Sequence, residues 1–86
     1  MNILTMMETF AVVVEAGSFT KAAQQLHLSK SFVSKQITSL ESELGARLIY
    51  RTTRTLSLSD EGKRFYQHCK SIMAEANNAK MEVIES

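Results

Sequence analysis

Between Gly17 and Ser59 the sequence reads GSFTKAAQQLHLSKSFVSKQITSLESELGARLIYRTTRTLSLS, and its stops and apolar spacing leave little freedom in how it folds. Gly17 is a left-handed stop and Ser18 can cap a following helix through its hydroxyl. That helix is short, Phe19 to Leu26, and its Ala22 and Ala23 have so little bulk that another helix can cross at close range. His27 and Leu28 form a tight turn in which His27 is expected to pack, and Ser29 caps the next helix. There Val33, Ile37, Leu40 and Leu44 recur at steps of four, three and four, which predicts one buried face ending at Gly45.

The opposite face of that helix carries Lys30, Ser31, Ser34, Lys35 and Thr38, with no acid until Glu41. Small hydroxyls and flexible ammonium groups on one face can reach base edges and phosphates in a major groove without charge repulsion. Two short strands follow, Leu48 to Arg51 and Leu56 to Leu58, joined by Thr52-Thr53-Arg54-Thr55. Threonines and an arginine at a hairpin tip suit phosphate contacts or minor-groove entry. The tip lacks the Asn-Gly or glycine of a two-residue turn, so a looser loop is expected.

Upstream, Asn2 can cap a helix with apolar residues at Ile3, Met7, Phe10 and Val14, widened by Leu4, Met6, Ala11 and Val13. Such breadth predicts packing on two surfaces. Downstream, Ser59 caps a last helix whose first turn holds Asp60 and Glu61, where the helix dipole favours negative charge. From there Phe65, Cys69, Ile72, Ala76, Ala79 and Val83 form a heptad seam. A helix over residues 60–86 spans about 40 Å, more than so small a domain can cover. This seam is expected to be a dimer interface between two copies, with Ala76 and Ala79 permitting close approach. The fold class is therefore mainly α: a winged helix-turn-helix over 1–59, with three helices and a short β-hairpin wing, then a long dimerisation or linker helix over 60–86.

Composition agrees once charge is located. The chain has 86 residues and a net charge of only +1. Six of its cations against two anions lie between Ser18 and Leu58, whereas the flanks hold four against seven. A chain of this length has a small core, which favours oligomerisation. No apolar run approaches a membrane span and no secretory pattern opens the chain, so a cytoplasmic location is expected. One cysteine forms no internal disulfide, and no residues have zinc-ligand spacing.

The run AAQQLHLSKSFVSKQITSLESELGARLIYR, followed by LSLSDEG, resembles the amino-terminal DNA-binding domain of LysR-type bacterial transcriptional regulators. Their pattern is GSFxxAAxxLxxSQxxxSxxIxxLExxLGxxLFxR and then LTxxG. The resemblance implies a winged helix-turn-helix, a linker helix pairing two subunits, and binding to an interrupted palindrome as a dimer or part of a tetramer. It also implies a small-molecule effector acting through a further domain absent from these residues, so that this is an excised domain. The family's contacts fall on Lys30, Ser31, Ser34 and Lys35, with Arg51 and Arg54 in or beside the wing; Ser29, Thr38 and Thr53 complete the candidate set. The family often has glutamine then proline at Lys30 and Ser31, and commonly arginine at Lys35. Lysine lacks the planar fork that arginine places on guanine, so base preference is expected to differ. Ile49 and Ser59 replace the usual phenylalanine and threonine.

Other uses of these residues were weighed. Lys30 and Lys35 can be plain solvated charges, Arg47 a structural partner of Glu43 or Glu41, and Cys69 a small buried apolar residue or, less simply, one half of a disulfide across a dimer. The early methionines read as core or interface fillers, and no cofactor box is visible. A winged helix used only for protein interaction is the alternative function, but it would expose more apolar surface. An enzyme needs convergent ionisable groups; His27 and His68 stand apart, with no nucleophile and base paired.

Overall fold

The structure is a computed structural model and describes residues 2–52 and 55–86. Four helices and one hairpin follow in the order α1 (Ile3–Ala16), α2 (Phe19–Leu26), α3 (Lys30–Leu44), β1 (Ile49–Arg51), β2 (Leu56–Leu58) and α4 (Asp60–Glu85). This is the expected mainly α architecture of three helices, wing and long last helix.

Local chemistry sets the helix ends. Asn2 Oδ1, Ser18 Oγ, Ser29 Oγ and Ser59 Oγ each accept a backbone N–H from the first turn of α1, α2, α3 and α4 in turn. Gly17 and Gly45 end α1 and α3 in the left-handed region, at φ 73° and 67°. His27 ends α2 in the same way at φ 58°, and is exposed rather than packed into the turn. Its N–H reaches Gln24 O at 3.3 Å and the Leu28 N–H reaches Ala23 O at 3.0 Å. The turn between α2 and α3 is therefore a Schellman cap with histidine where glycine is usual.

α1, α2 and α3 enclose a core of Met6, Phe10, Val13, Ala22, Val33, Ile37 and Leu40, closed below by Leu48 and Ile49. Two residues depart from the periodic reading of α3. Leu44 is 41% exposed, because it sits in the last turn, where α3 runs beyond its cover. Gln36 is buried, and satisfies its polarity by accepting the Thr9 hydroxyl of α1 at 2.6 Å. The first turn of α1 also projects: Ile3 and Leu4 are exposed.

The hairpin pairs Ile49 with Leu58, Tyr50 with Ser57 and Arg51 with Leu56, antiparallel. Pairing carries on past the strands, with Thr52 N–H donating to Thr55 O at 2.9 Å and the two threonine hydroxyls 2.9 Å apart. The looser loop expected at the tip falls on Thr53 and Arg54, which lie outside the described residues.

α4 enters against Leu48, the residue before β1. Ser59 N–H donates to Leu48 O at 3.0 Å and its hydroxyl to Arg47 O at 2.5 Å, and Gly62 is buried beside the Leu48 carbonyl. One turn on, the Phe65 ring packs against Phe10 with centroids 5.6 Å apart, and Cys69 is fully buried. Beyond Cys69 the helix leaves the core, which gives the molecule its elongated outline of 47 × 25 × 22 Å.

Candidate nucleic-acid interface

α3 presents Ser31, Lys35 and Thr38 along its outer face, with Lys30 and Ser34 on the side turned to the wing. All but the half-buried Ser34 are exposed. Arg51, from β1, reaches across that side: its Nη1 donates to Ser34 Oγ at 2.7 Å, and its guanidinium carbon lies 4.4 Å from the centroid of the Phe19 ring. Stacking on Phe19 and bonding to Ser34 hold the long side chain in one place. Between α2, α3 and the hairpin lies an open groove of about 370 Å³, walled by Ser18, Thr20, Lys30, Ser34, Arg51 and Thr55. Two cations and several hydroxyls thus converge on one concave surface.

The hydroxyls differ in what they have left to offer. Ser29 Oγ accepts the Phe32 N–H at 3.1 Å and lies 3.4 Å from Ser31 Oγ, so Ser29 acts first as a cap. Thr38 donates back to Ser34 O at 3.1 Å, which leaves its oxygen as an acceptor. Ser34 accepts from Arg51 and keeps its own proton to donate outward.

The nearest acid is turned away from this surface. Glu41, the first acid on α3, turns to the hairpin: its Oε2 accepts the Leu48 N–H at 2.8 Å and the Ile49 N–H at 3.1 Å, with Arg47 Nε at 3.9 Å. One carboxylate therefore joins α3 to β1 and satisfies two backbone donors of buried residues. Arg47 is a structural partner of Glu41, as one of the sequence alternatives had it.

The sequence-predicted residues fall in two separate regions. Ser29, Lys30, Ser31, Ser34, Lys35 and Thr38 share α3, and Arg51 joins them through β1; Thr53 and Arg54 are outside the described residues. Ser18 and Thr20 also wall the groove, a place that spacing does not reveal because it depends on how α2 crosses α3. The seam residues lie elsewhere, on α4. Phe65 is half-buried and Cys69 has no exposed surface, so both are occupied by the chain's own α1; Cys69 is therefore neither part of an open seam nor able to meet a second copy without unpacking the core. Ile72, Ala76, Ala79 and Val83 are exposed, Val83 by 75%. Beside them a second groove, of about 400 Å³, runs between α1 and α4, lined by Glu8, Val12, Met73, Ala76 and Lys80 among others.

Among the described residues no group of three His, Cys, Asp or Glu is placed to hold a metal ion, and no helix is long and apolar enough to cross a membrane.

Residues 4–63 match the family model described as bacterial regulatory helix-turn-helix protein, lysR family. The chain is 47% identical over 75 residues to an HTH-type transcriptional repressor of Pseudomonas aeruginosa, covering 87% of this chain and 24% of that protein. It is 42% identical over 78 residues to the HTH-type transcriptional activator AaeR of Escherichia coli, covering 91% and 25%. It therefore spans about a quarter of the length of these curated relatives. Among solved structures, the complex of the BenM DNA-binding domain with catB site 1 DNA superimposes with a TM-score of 0.90 at 34% identity, covering 99% of this chain and 93% of that one. The CbnR DNA-binding domain in complex with DNA gives 0.85 at 28% identity, covering 99% and 97%.

Proposed function

The chain belongs to the lysR family of bacterial regulatory helix-turn-helix proteins, as the DNA-binding domain with its long C-terminal helix, and from that premise we propose how it reads DNA. It is a transcription regulator and not an enzyme. α3 enters the major groove with Ser31, Ser34, Lys35 and Thr38 toward the base edges, while Lys30 and the cap Ser29 lie near the backbone. The wing, with Arg51 on its first strand, grips the flanking phosphates or the minor groove, a role the sequence alone extends to Thr53 and Arg54. The observation that carries this reading is the acid-free outer face of α3, continued into the wing by the Arg51 bond to Ser34, with Glu41 turned away to the Leu48 and Ile49 amides.

Two copies pair through the exposed run of α4 from Ile72 to Val83, so that two recognition helices meet an interrupted palindrome. Tetramer formation and response to a small-molecule effector belong to a longer protein carrying the family's further domain. No cofactor takes part in the reading of DNA, and the setting is the bacterial cytoplasm. The Pseudomonas aeruginosa relative is a repressor and the Escherichia coli one an activator at similar identity, so the sign of regulation does not carry over.

The test is selection from a random duplex pool, followed by salt titration on the enriched sequence. An interrupted palindrome bound with steep salt dependence is the expected result. Failure to enrich any sequence, with self-association still measurable, would move the reading to a protein-interaction module.

A further inference from the structure

Phe32 is 41% exposed on the first turn of α3, while Val33 beside it is fully buried. A single exposed apolar side chain needs no explanation by itself. The position of this one does. At about 100° per residue, Phe32 stands about 60° round the helix from Lys35, on the edge of the outer face opposite Lys30 and Ser34. Arg51 and the groove occupy that other edge. The outer face is thus bounded by cations and hydroxyls on the wing side and by an aromatic ring on the far side.

The backbone that carries the ring is fixed by the helix cap. The Phe32 N–H is bonded to Ser29 Oγ at 3.1 Å, which anchors the backbone that carries it, and its two torsions cost little to immobilise. Phenylalanine offers a groove no donor or acceptor. In the major groove the apolar feature that distinguishes one base pair from another is the C5-methyl of thymine. A ring laid against phosphates or the amino and carbonyl edges of G·C would strip those polar groups of hydration without offering a hydrogen bond in return.

We infer that Phe32 reads a thymine C5-methyl at one position of each half-site, and so supplies an apolar specificity determinant beside the polar ones. This rests on the proposed seating of α3 in the major groove. The contact adds a base preference that Lys30, Ser31, Ser34 and Lys35 cannot express, since none of them discriminates by a methyl.

The experiment takes the selected operator and replaces each thymine of a half-site in turn by deoxyuridine, which removes the methyl and leaves every hydrogen-bonding group. Burial of one methyl predicts that a single position weakens wild-type binding by about three- to fivefold, and that Phe32→Ala, already weakened on the parent operator, shows no such loss there. Phe32→Ala should keep its affinity for random duplex and its circular dichroism, since the ring is exposed. Equal deoxyuridine effects in wild type and variant, or equal weakening of Phe32→Ala on operator and random duplex, would overturn the inference and leave the groove reading intact. Absence of any selected operator would instead remove the seating of α3 on which it rests.

Discussion

Arg51 Nη1 donates to Ser34 Oγ at 2.7 Å while its guanidinium stacks over Phe19, so a wing strand and the recognition helix share one hydrogen-bonded side chain. Seventeen residues separate the two partners in sequence. The bond orients the Ser34 hydroxyl, leaving its proton directed away from the guanidinium. Arg51→Lys keeps the charge but loses the fork and most of the stacking. Specific binding should fall by about fivefold, the worth of one ordinary hydrogen bond, with random-duplex affinity unchanged. Ser34→Ala should act through the same bond, so the double variant should bind no worse than the weaker single. Simple addition of the two losses would show that Arg51 acts on DNA independently of Ser34.

Gly62 sits where α4 passes Leu48, just before β1. A Cβ there would run into the Leu48 carbonyl, which already accepts the N–H of Ser59. Because that obstacle is backbone, it yields only if α4 moves off the hairpin. In an unobstructed helix Gly→Ala stabilises by about 1 kcal/mol; here the sign should reverse, with Gly62→Ala losing about 2–4 kcal/mol. Thermal unfolding decides it, and a higher midpoint in the variant would contradict this close approach.

His27 holds a left-handed conformation at φ 58° that costs an L-residue about 1–2 kcal/mol and glycine almost nothing. Part of this gain is offset by the greater freedom of glycine in the unfolded chain. His27→Gly should therefore raise stability by about 0.5–1 kcal/mol, or the melting midpoint by about 3–6 °C. His27→Val should lower it. A midpoint unmoved by either change would mean that the turn relaxes without cost.

Much of this fold is legible because helix ends are local chemistry. Asn2, Ser18, Ser29 and Ser59 cap where their side chains predict, and Gly17 and Gly45 stop α1 and α3 as expected. What escapes is decided at a distance. Gln36 is polar and looks exposed until Thr9 of α1 comes within 2.6 Å. The pairing of Arg51 with Ser34 depends on hairpin register and on how α2 crosses α3. The period of α4 is the same whether a neighbour is the chain itself or another copy, so Phe65 and Cys69, which belong to the core, cannot be told by spacing from Ile72 and Val83, which stand exposed. Phe32 carries no polar signal, and its place on the edge of the outer face shows only once Val33 beside it is seen to be buried.

Burial pushes the Cys69 thiol up from the ordinary value of 9.0 to about 11. The unfolded chain ionises it more readily, so the thiol's share of stability is intact below pH 9.0 and drains away as pH rises through about 11. Tyr66, nearby on α4, is also shifted upward, by burial and by its bond to Glu15 at 3.1 Å, so the total curve mixes both. The difference between wild type and Cys69→Ala isolates the thiol: it should narrow between pH 9 and 11, as read by chemical denaturation. At neutral pH the native thiol should resist labelling until the core opens. A constant difference across that range, or rapid native-state labelling, would place Cys69 at the surface.

Ala76 lies on the exposed half of the α4 seam, at the wall of the groove that Glu8, Val12 and Met73 share with Lys80. A glutamate there is accommodated by the single chain, because the residue is exposed, but in a paired seam it brings two carboxylates into a close helix contact. Ala76→Glu should therefore sediment as a monomer with unchanged helix content. Operator affinity should fall about 100-fold or more, because the second recognition helix no longer binds at high effective concentration. Weak binding to a single half-site should survive, since α3 and the wing are untouched. A variant that remains dimeric would exclude the Ile72 to Val83 seam as the pairing surface and turn attention to the exposed first turn of α1, where Ile3 and Leu4 stand uncovered.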